Sequence, residues 1–285
     1  MTLVSLAGML RKARCEGYAV GGFYAWNLEL VQSVVNAAEG ECSPAVLLIN
    51  QTGLNYAGLE YYAAFAKKAA EKATVPIVLH LDHAQNLELV TQCIRCGFSS
   101  VMFDGSAFPL ETNIELTRKV VEAAHGVGVS VEAELGRVPR AGNGLPVEVS
   151  EASMTDPDEA RRFVDTTGID ALAVSVGTVH GLYKRYARLD FNRLKRIGDL
   201  TDVPLVLHGG TGIPDDAVHK AVELGVCKIN VGEALRRAYL NGLKGALGNN
   251  SGKNDVMDVL ASARLEAENV VRGKMRLFRS AGKAD

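Results

Sequence analysis

No stretch of about 18 consecutive apolar residues occurs in this chain, so nothing in it reads as a membrane-spanning helix. The opening segment MTLVSLAGMLRKARCEGYAV places its charges after the apolar stretch and has no small-residue cleavage site, which predicts a soluble protein that is not exported. A block of Lys or Arg is missing too. With 31 basic against 33 acidic residues the formal charge is −2, and no basic stripe could follow a phosphate backbone, so nucleic acid is excluded as an expected partner. Five cysteines, an odd number, form no disulfide framework, which points to a reducing compartment and hence the cytoplasm. Cys93 and Cys96 make a C-x-x-C, but the surrounding NLELVTQCIRCGF has a helical period and no second thiol pair completes a metal site. Both read as packing cysteines at a helix end, as do Cys15, Cys42 and Cys227. There is no internal repeat, no low-complexity segment, and no G-x-G-x-x-G turn after the first β-rich run.

What is present is a recurring alternation. Eight short β-rich runs, YAVGGFY, AVLLIN, PIVLHL, SSVMF, VSVEAEL, ALAVSV, PLVLH and CKINV, are each separated by a segment that can hold a helix. Near-continuous apolar strands alternating with helices indicate a parallel sheet covered by helices, and eight such units close a barrel. A chain of 285 residues, 47% hydrophobic, suits a single (β/α)8 TIM barrel domain over residues 1–285. The rival is a doubly wound open sheet, but the polar residues follow most of the strands instead of gathering at one switch point.

Those polar residues are Asn27, Asn50, Asp82, His83, Asp104, Glu132, Glu134, His180, His208 and Asn230. In a barrel they converge on the C-terminal rim, where such folds place their chemistry. Of only six histidines, His83, His180 and His208 sit at strand ends. Three imidazoles with a fourth position open suit a catalytic zinc, whereas a structural zinc fills all four positions with Cys and His. His125 and His219 fall in helical segments and read as ordinary surface histidines, while His80 reads equally as a core residue or as support for a ligand.

Asp82 beside His83 is either an orienter of the imidazole or the proton-transfer group itself. Glu132 and Glu134 alternate along VEAEL and so face one side, the barrel interior, with no cationic partner in the sequence pattern. A metal, hydrogen bonds to metal ligands or a buried ion pair would explain them. Gly181, the run Gly209-Gly210-Thr211-Gly212 and Asn230-Val231-Gly232 offer backbone N–H groups after the last strands, where this fold commonly cradles phosphate. The stretch from Gly136 to Thr155 shows no helical period and reads as a long mobile loop over the site. Residues 254–278 read as an amphipathic helix, followed by SAGKAD as a frayed tail.

Taken together, HLDHA, FDGS, VEAELG, TDPDEA, GIDALAVSVGTVHGLYK, VPLVLHGGTGIPD and LFRSAGKA resemble the class II fructose-1,6-/tagatose-1,6-bisphosphate aldolases, nearly end to end and with the tagatose branch most similar. The resemblance implies a lyase that splits a ketose phosphate into dihydroxyacetone phosphate and an aldehyde. It implies zinc on His83, His180 and His208, with a monovalent cation as a further candidate cofactor, and Asp82 as proton donor and acceptor. It also implies an alternative metal position near Asp104, Glu132 and Glu134, and a homodimer or homotetramer. The phosphorylated sugar would bind at Gly181, Gly209, Gly210, Thr211, Asn230, Val231, Gly232 and Glu233, with Asn27 and Lys184 added as substrate contacts.

Two departures stand out. The family's loop usually carries a GGxED-like run whose glutamate protonates the ketone fragment, and here the equivalent is Pro139-Arg140-Ala141-Gly142-Asn143, so that either Glu148 or Glu151 substitutes or the loop acid is absent and turnover slow. The phosphate turn usually reads N-V-A-T and here reads Asn230-Val231-Gly232-Glu233, a carboxylate where phosphate is expected. Either Glu233 turns outward, with Lys184 and Arg185 adding charge, or the sugar end held there is not phosphorylated. The alternatives to an ordinary aldolase are therefore a diverged one for an unusual or unphosphorylated ketose, and a non-catalytic partner subunit.

Overall fold

The computed structural model describes residues 3–139, 150–181, 188–248 and 255–284. Helix α1 (Leu6–Glu16) comes first. The strands are β1 (Val20–Tyr24), β2 (Ala45–Asn50), β3 (Ile77–Ala84), β4 (Ser100–Phe103), β5 (Ser130–Leu135), β6 (Ala171–Val174), β7 (Leu205–Leu207) and β8 (Val226–Val231). Between them run α2 (Leu28–Gly40), α3 (Gln51–Ala57) with α4 (Leu59–Lys72), α5 (Leu87–Arg95), α6 (Leu110–His125), α7 (Pro157–Thr167), α8 (Phe191–Leu200) and α9 (Asp215–Glu223). The chain ends in α10 (Glu233–Gly248) and α11 (Val256–Leu277). Each strand pairs in parallel with the next, and β1 pairs with β8, closing a (β/α)8 TIM barrel. The eight expected runs are its eight strands.

Alternation along the strands sorts the core into two layers. Outward residues such as Leu47, Leu79, Val131, Leu172 and Ile229 pack under the helices. Inward residues Val20, Val46, Val78, Met102, Ala171 and Val206 meet Leu6, Met9 and Leu10 of α1, so this helix stops the N-terminal mouth of the barrel. It starts at Ser5, whose side chain accepts from the Gly8 amide, and ends at Gly17 in the left-handed region. The Ala7 amide donates to the inward Ser130 hydroxyl at 3.1 Å, which ties α1 to β5.

β3 departs from regularity in a way that matters for the site. Its pairing with β4 shifts register between Leu81 and Ala84, and His83 has φ of 51°, a conformation unfavourable for a residue with a Cβ. In a regular strand Asp82 and His83 would face opposite sides. The bulge turns both toward the barrel mouth.

The expectation of a frayed tail is overturned. Ser280 is fully buried and its hydroxyl bonds the Ser43 hydroxyl at 2.8 Å, while the Gly282 and Ala284 amides donate to the Glu41 and Cys42 carbonyls. Phe278 is buried as well, and its carbonyl accepts from the Ala19 amide. The segment is held because its backbone groups find partners on the α2–β2 connection.

Candidate active site

The barrel closes residues from across the chain into one cup. The rings of His83 and His208 lie 4.6 Å apart, those of His83 and His180 5.0 Å, and those of His180 and His208 5.7 Å. One nitrogen from each falls within 4.8 Å of the others, close enough to share an ion. Asp82 Oδ2 is 3.7 Å from His83 Nε2. Asp104, beyond β4, is bonded to His83 Nδ1 at 2.8 Å and fixed from behind by the Ser106 amide and hydroxyl.

Among the described residues, buried polar atoms without a hydrogen-bond partner include His83 Nε2, His208 Nδ1 and Glu134 Oε2. An orphaned buried nitrogen or carboxylate oxygen is costly unless something binds it. Two such imidazole nitrogens with His180 beside them, and Glu134 Oε2 3.3 Å from His208 Nδ1, fit a divalent cation of zinc's ligand preference. The other side of each ring is already engaged: His83 Nδ1 by Asp104, and His208 Nε2 by Glu132 at 3.0 Å. Such contacts fix which nitrogen faces the metal.

Glu132 lies apart from the pair with which the sequence grouped it. Asp104 and Glu134 share a potential cation position with His83, whereas Glu132 falls in a separate cluster with His80 and Asp82. The reason is Lys228. This lysine, fully buried on β8, reaches across the barrel and pairs with Glu132 Oε2 at 2.8 Å. It is the cationic partner that sequence reasoning missed. The available signal was its position two residues before Asn230, which puts both on the same inward face.

The electrostatics follow from this crowding. Burial pushes the Asp82 carboxyl up, but His83, His208, Lys228 and His80 outweigh it and hold the group well below the usual carboxylate range. Burial acts the same way on Glu132, and Lys228 with His208 brings it down to about 2. His80 is lowered to about 3, by burial first and Lys228 second, so it is neutral; its Nδ1 bonds the Ser100 hydroxyl at 2.8 Å. Burial opposes charge on His208, yet Glu132 and Glu134 raise it to about 10. Asp82 is thus a carboxylate, able to accept a proton.

A cavity of about 260 Å³ adjoins the cup, lined by Tyr24, Trp26, Asn50, His180, Gly181, Gly209, Thr211, Asn230, Gly232, Glu233 and Arg236. Gly210 allows its turn to pass close over β8, since a Cβ there would fall 2.4 Å from Ile229 Cγ2 and 2.8 Å from the Asn230 carbonyl. The Thr211 hydroxyl accepts from the Ala234 amide at 3.2 Å, capping α10. Val231 packs its side chain into the outer core, so only its main chain can serve the turn. Glu233 does line the cavity, but its carboxylate is held by the Arg236 guanidinium through contacts of 2.8 to 3.0 Å.

Other expected residues fall elsewhere. Asn27 is the N-cap of α2, accepting from the Leu30 amide and donating to the Tyr239 hydroxyl, and it does not line the cavity. The start of α2 at NLEL carries the sequence signal for that cap. Glu151 pairs with Arg193 at the surface. Lys184, Arg185, Gly142, Asn143 and Glu148 lie outside the described residues, as does the middle of the expected loop. Its described base is anchored where the Val138 amide donates to Glu134 Oε1 and the His180 amide to the Pro139 carbonyl.

Residues 4–283 match the family model for fructose-bisphosphate aldolase class-II. The chain belongs to that family. A fructose-bisphosphate aldolase of Thermus caldophilus is 40% identical, over 99% of this chain and 100% of its own length. The crystal structure of the YdjI aldolase from Escherichia coli K12 superposes with a TM-score of 0.90 at 34% identity, covering 99% of this chain and 100% of that one. Fructose-bisphosphate aldolase from Campylobacter jejuni, at 23% identity and a TM-score of 0.82 over 99% and 97% of the two chains, shares the fold. This class II aldolase is accordingly a lyase.

Proposed function

We propose that this aldolase is zinc-dependent and cleaves a ketose phosphate of the tagatose or fructose 1,6-bisphosphate type into dihydroxyacetone phosphate and an aldehyde. The observation that carries the reading is the buried Asp82 carboxylate beside the three converging imidazoles, one of which, His180, also lines the cavity that Gly209, Thr211 and Gly232 line. His83, His180 and His208 would hold the zinc, with Asp104 and Glu134 beside it as an alternative position, and Lys228 with Glu132 keeping His208 oriented. A divalent cation there supplies a Lewis acid for the substrate's carbonyl oxygen.

Asp82 takes the proton from the C4 hydroxyl as the C3–C4 bond breaks, the bonding electrons pass to the ketone half, which gains a proton at C3 from solvent, and in the condensation direction Asp82 returns its proton to the aldehyde oxygen. Its carboxylate form and its place on β3, held by donors from β1 and β8, suit that task. The Gly209–Thr211 and Gly232 turns would receive the phosphate of the ketone half through backbone N–H groups. Arg236 neutralises Glu233, which removes the repulsion that a lone carboxylate would exert on phosphate. A second reading, an unphosphorylated ketose whose hydroxyl is accepted by Glu233, is favoured by the position of that residue in the cavity lining. We further propose a cytoplasmic enzyme of two or four subunits; among the described residues no helix is long and apolar enough to cross a membrane.

The test is cleavage of ketose 1-phosphates, ketose 1,6-bisphosphates and free ketoses by zinc-loaded protein, trapping the triose product, with Asp82→Asn as control. Turnover of a phosphorylated ketose that vanishes in the control supports the proposal, and turnover of free ketoses alone transfers it to the second reading.

A further inference from the structure

The expected residues leave one polar neighbour of Asp82 without a role. Asp82 is fully buried and has two carboxylate oxygens to satisfy. Oδ1 accepts from the Asn230 amide at 3.2 Å, while Oδ2 accepts from the phenol of Tyr24, the last residue of β1. We propose that Tyr24 is a positioning residue for the reaction: its hydroxyl fixes the rotation of the Asp82 carboxylate so that the proton-accepting oxygen faces the sugar.

Three features of the structure carry this beyond a single contact. The Tyr24 ring is itself oriented, stacked on Trp26 with centroids 5.4 Å apart and planes 20° apart. The ring also lies against Gly232, where a Cβ would come within 2.9 Å of Tyr24 Cδ2. That clash explains a departure from the family's turn, glycine where alanine is usual: the turn gives way to the ring. Finally, Asp82 is followed by the bulged His83, so the backbone on its C-terminal side is already set, and side-chain rotation is the freedom that remains. A neutral phenol on Oδ2 and a neutral amide on Oδ1 restrict that rotation without adding charge to a site crowded with it. A hydrogen bond to a charged group contributes about 1.5–3 kcal/mol, corresponding to about 10- to 100-fold in rate where it acts on the transition state.

The inference rests on Asp82 being the proton-transfer group, and the experiment separates the two ideas. Tyr24→Phe, Asp82→Asn and the double variant are compared with the wild type, all zinc-loaded. The chain's single tryptophan is Trp26, so its fluorescence reports whether the aromatic stack survives in each. Tyr24→Phe is expected to lower kcat for ketose cleavage about 10- to 100-fold with KM within about twofold. Exchange of the C–H proton of dihydroxyacetone phosphate with solvent, which does not use Asp82, should be unaffected. The double variant should be no slower than Asp82→Asn alone.

An unchanged kcat, an equal slowing of proton exchange, or additive losses in the double variant would each overturn the proposal. Crystal structures of the wild type and Tyr24→Phe give a readout that needs no substrate: a rotated Asp82 carboxylate is expected, and an unmoved one overturns the idea. If the wild type cleaves no ketose at all, the proposed function fails and the crystal comparison still judges Tyr24. Should the Phe variant not fold, Tyr24→Met, which keeps an apolar side chain and also removes the hydroxyl, takes its place in every measurement.

Discussion

In β3, Val78 and His80 point to the same side of the strand and are separated by a single residue, yet they belong to different worlds. Val78 lies with Leu6, Leu10, Val46 and Met102 in the apolar plug over α1. His80 lies among Ser100, Asp82 and Glu132. The switch recurs in β7, where Val206 gives way to His208, and in β2, where Leu48 gives way to Asn50. The lower half of the interior is held by close packing of side chains with no alternatives to weigh. The upper half is held by charges that are stable only in each other's company. The lesson is a division of labour along the barrel axis: one step of the inward alternation separates the part that keeps the fold closed from the part that the reaction uses.

Breaking the upper half should show first in turnover. Asp82→Asn is expected to lower kcat by about 10²- to 10⁴-fold, the usual contribution of a positioned acid or base, with the thermal midpoint unchanged within a few degrees. Steady-state kinetics and calorimetry on the same sample check both halves of that statement. Next comes Lys228→Met, which leaves the Glu132 charge buried without its partner. Loss of one member of such a pair costs about 3–5 kcal/mol, and denaturant titration should register it. Metal affinity, followed by competition with a chromophoric chelator, should fall as well because Glu132 orients His208.

Breaking the lower half should give the reverse signature. Leu10→Ala, at a site with no exposure, should cost about 2–5 kcal/mol in denaturant titration while metal affinity and KM stay at their wild-type values. If it weakened the metal site as strongly as Lys228→Met does, the two halves would not be separable. Removing the metal with a chelator should lower the thermal midpoint and yet leave the far-ultraviolet circular dichroism intact, because the plug does not depend on it. A site filled at 100 times its dissociation constant accounts for about 2.7 kcal/mol.

The smallest effect lies outside the barrel. A hydrogen bond from Arg276 comes first among the causes that hold the Glu41 carboxyl below its usual range, and Arg272 adds to it. Its folded pKa is depressed, so this contact stabilises the fold above the unfolded value of about 4.3 and is lost as pH falls through the folded one. Glu41→Gln should therefore flatten the decline of the thermal midpoint between about pH 5 and pH 3 without touching activity.

How much of this could be read from the sequence follows from which features are local. Strands of the AVLLIN type and polar residues at their ends are visible because alternation and burial are written within a few residues. The convergence of Asp82, His180 and His208 then follows from closure of the barrel, and that of His83 needs the bulge as well. Lys228 was legible only in direction: its place two residues before Asn230 turns it inward, but its partner Glu132 is found only once β8 is placed opposite β5. The bulge at His83 left no trace, since nothing in HLDHA marks a positive φ. Tyr24 read as one more apolar strand residue; its hydroxyl finds a carboxylate only once β1 and β3 are brought within reach by β2. Asn27 could have been assigned correctly from the helix it opens, and the tail could not, because its partners lie on the α2–β2 connection more than two hundred residues away.

The irregular backbone at His83 has a consequence for how such an enzyme can change over generations. Asp82 and His83, the proposed base and metal ligand, are chain neighbours across a bulge, so the spacing between them is stored in the barrel wall and not in the loops around it. New loop sequences, shorter or longer, can be tried above the rim without disturbing that spacing. A lineage can therefore exchange one sugar for another by rewriting the rim, and a designer grafting foreign loops inherits the bond-breaking apparatus already assembled.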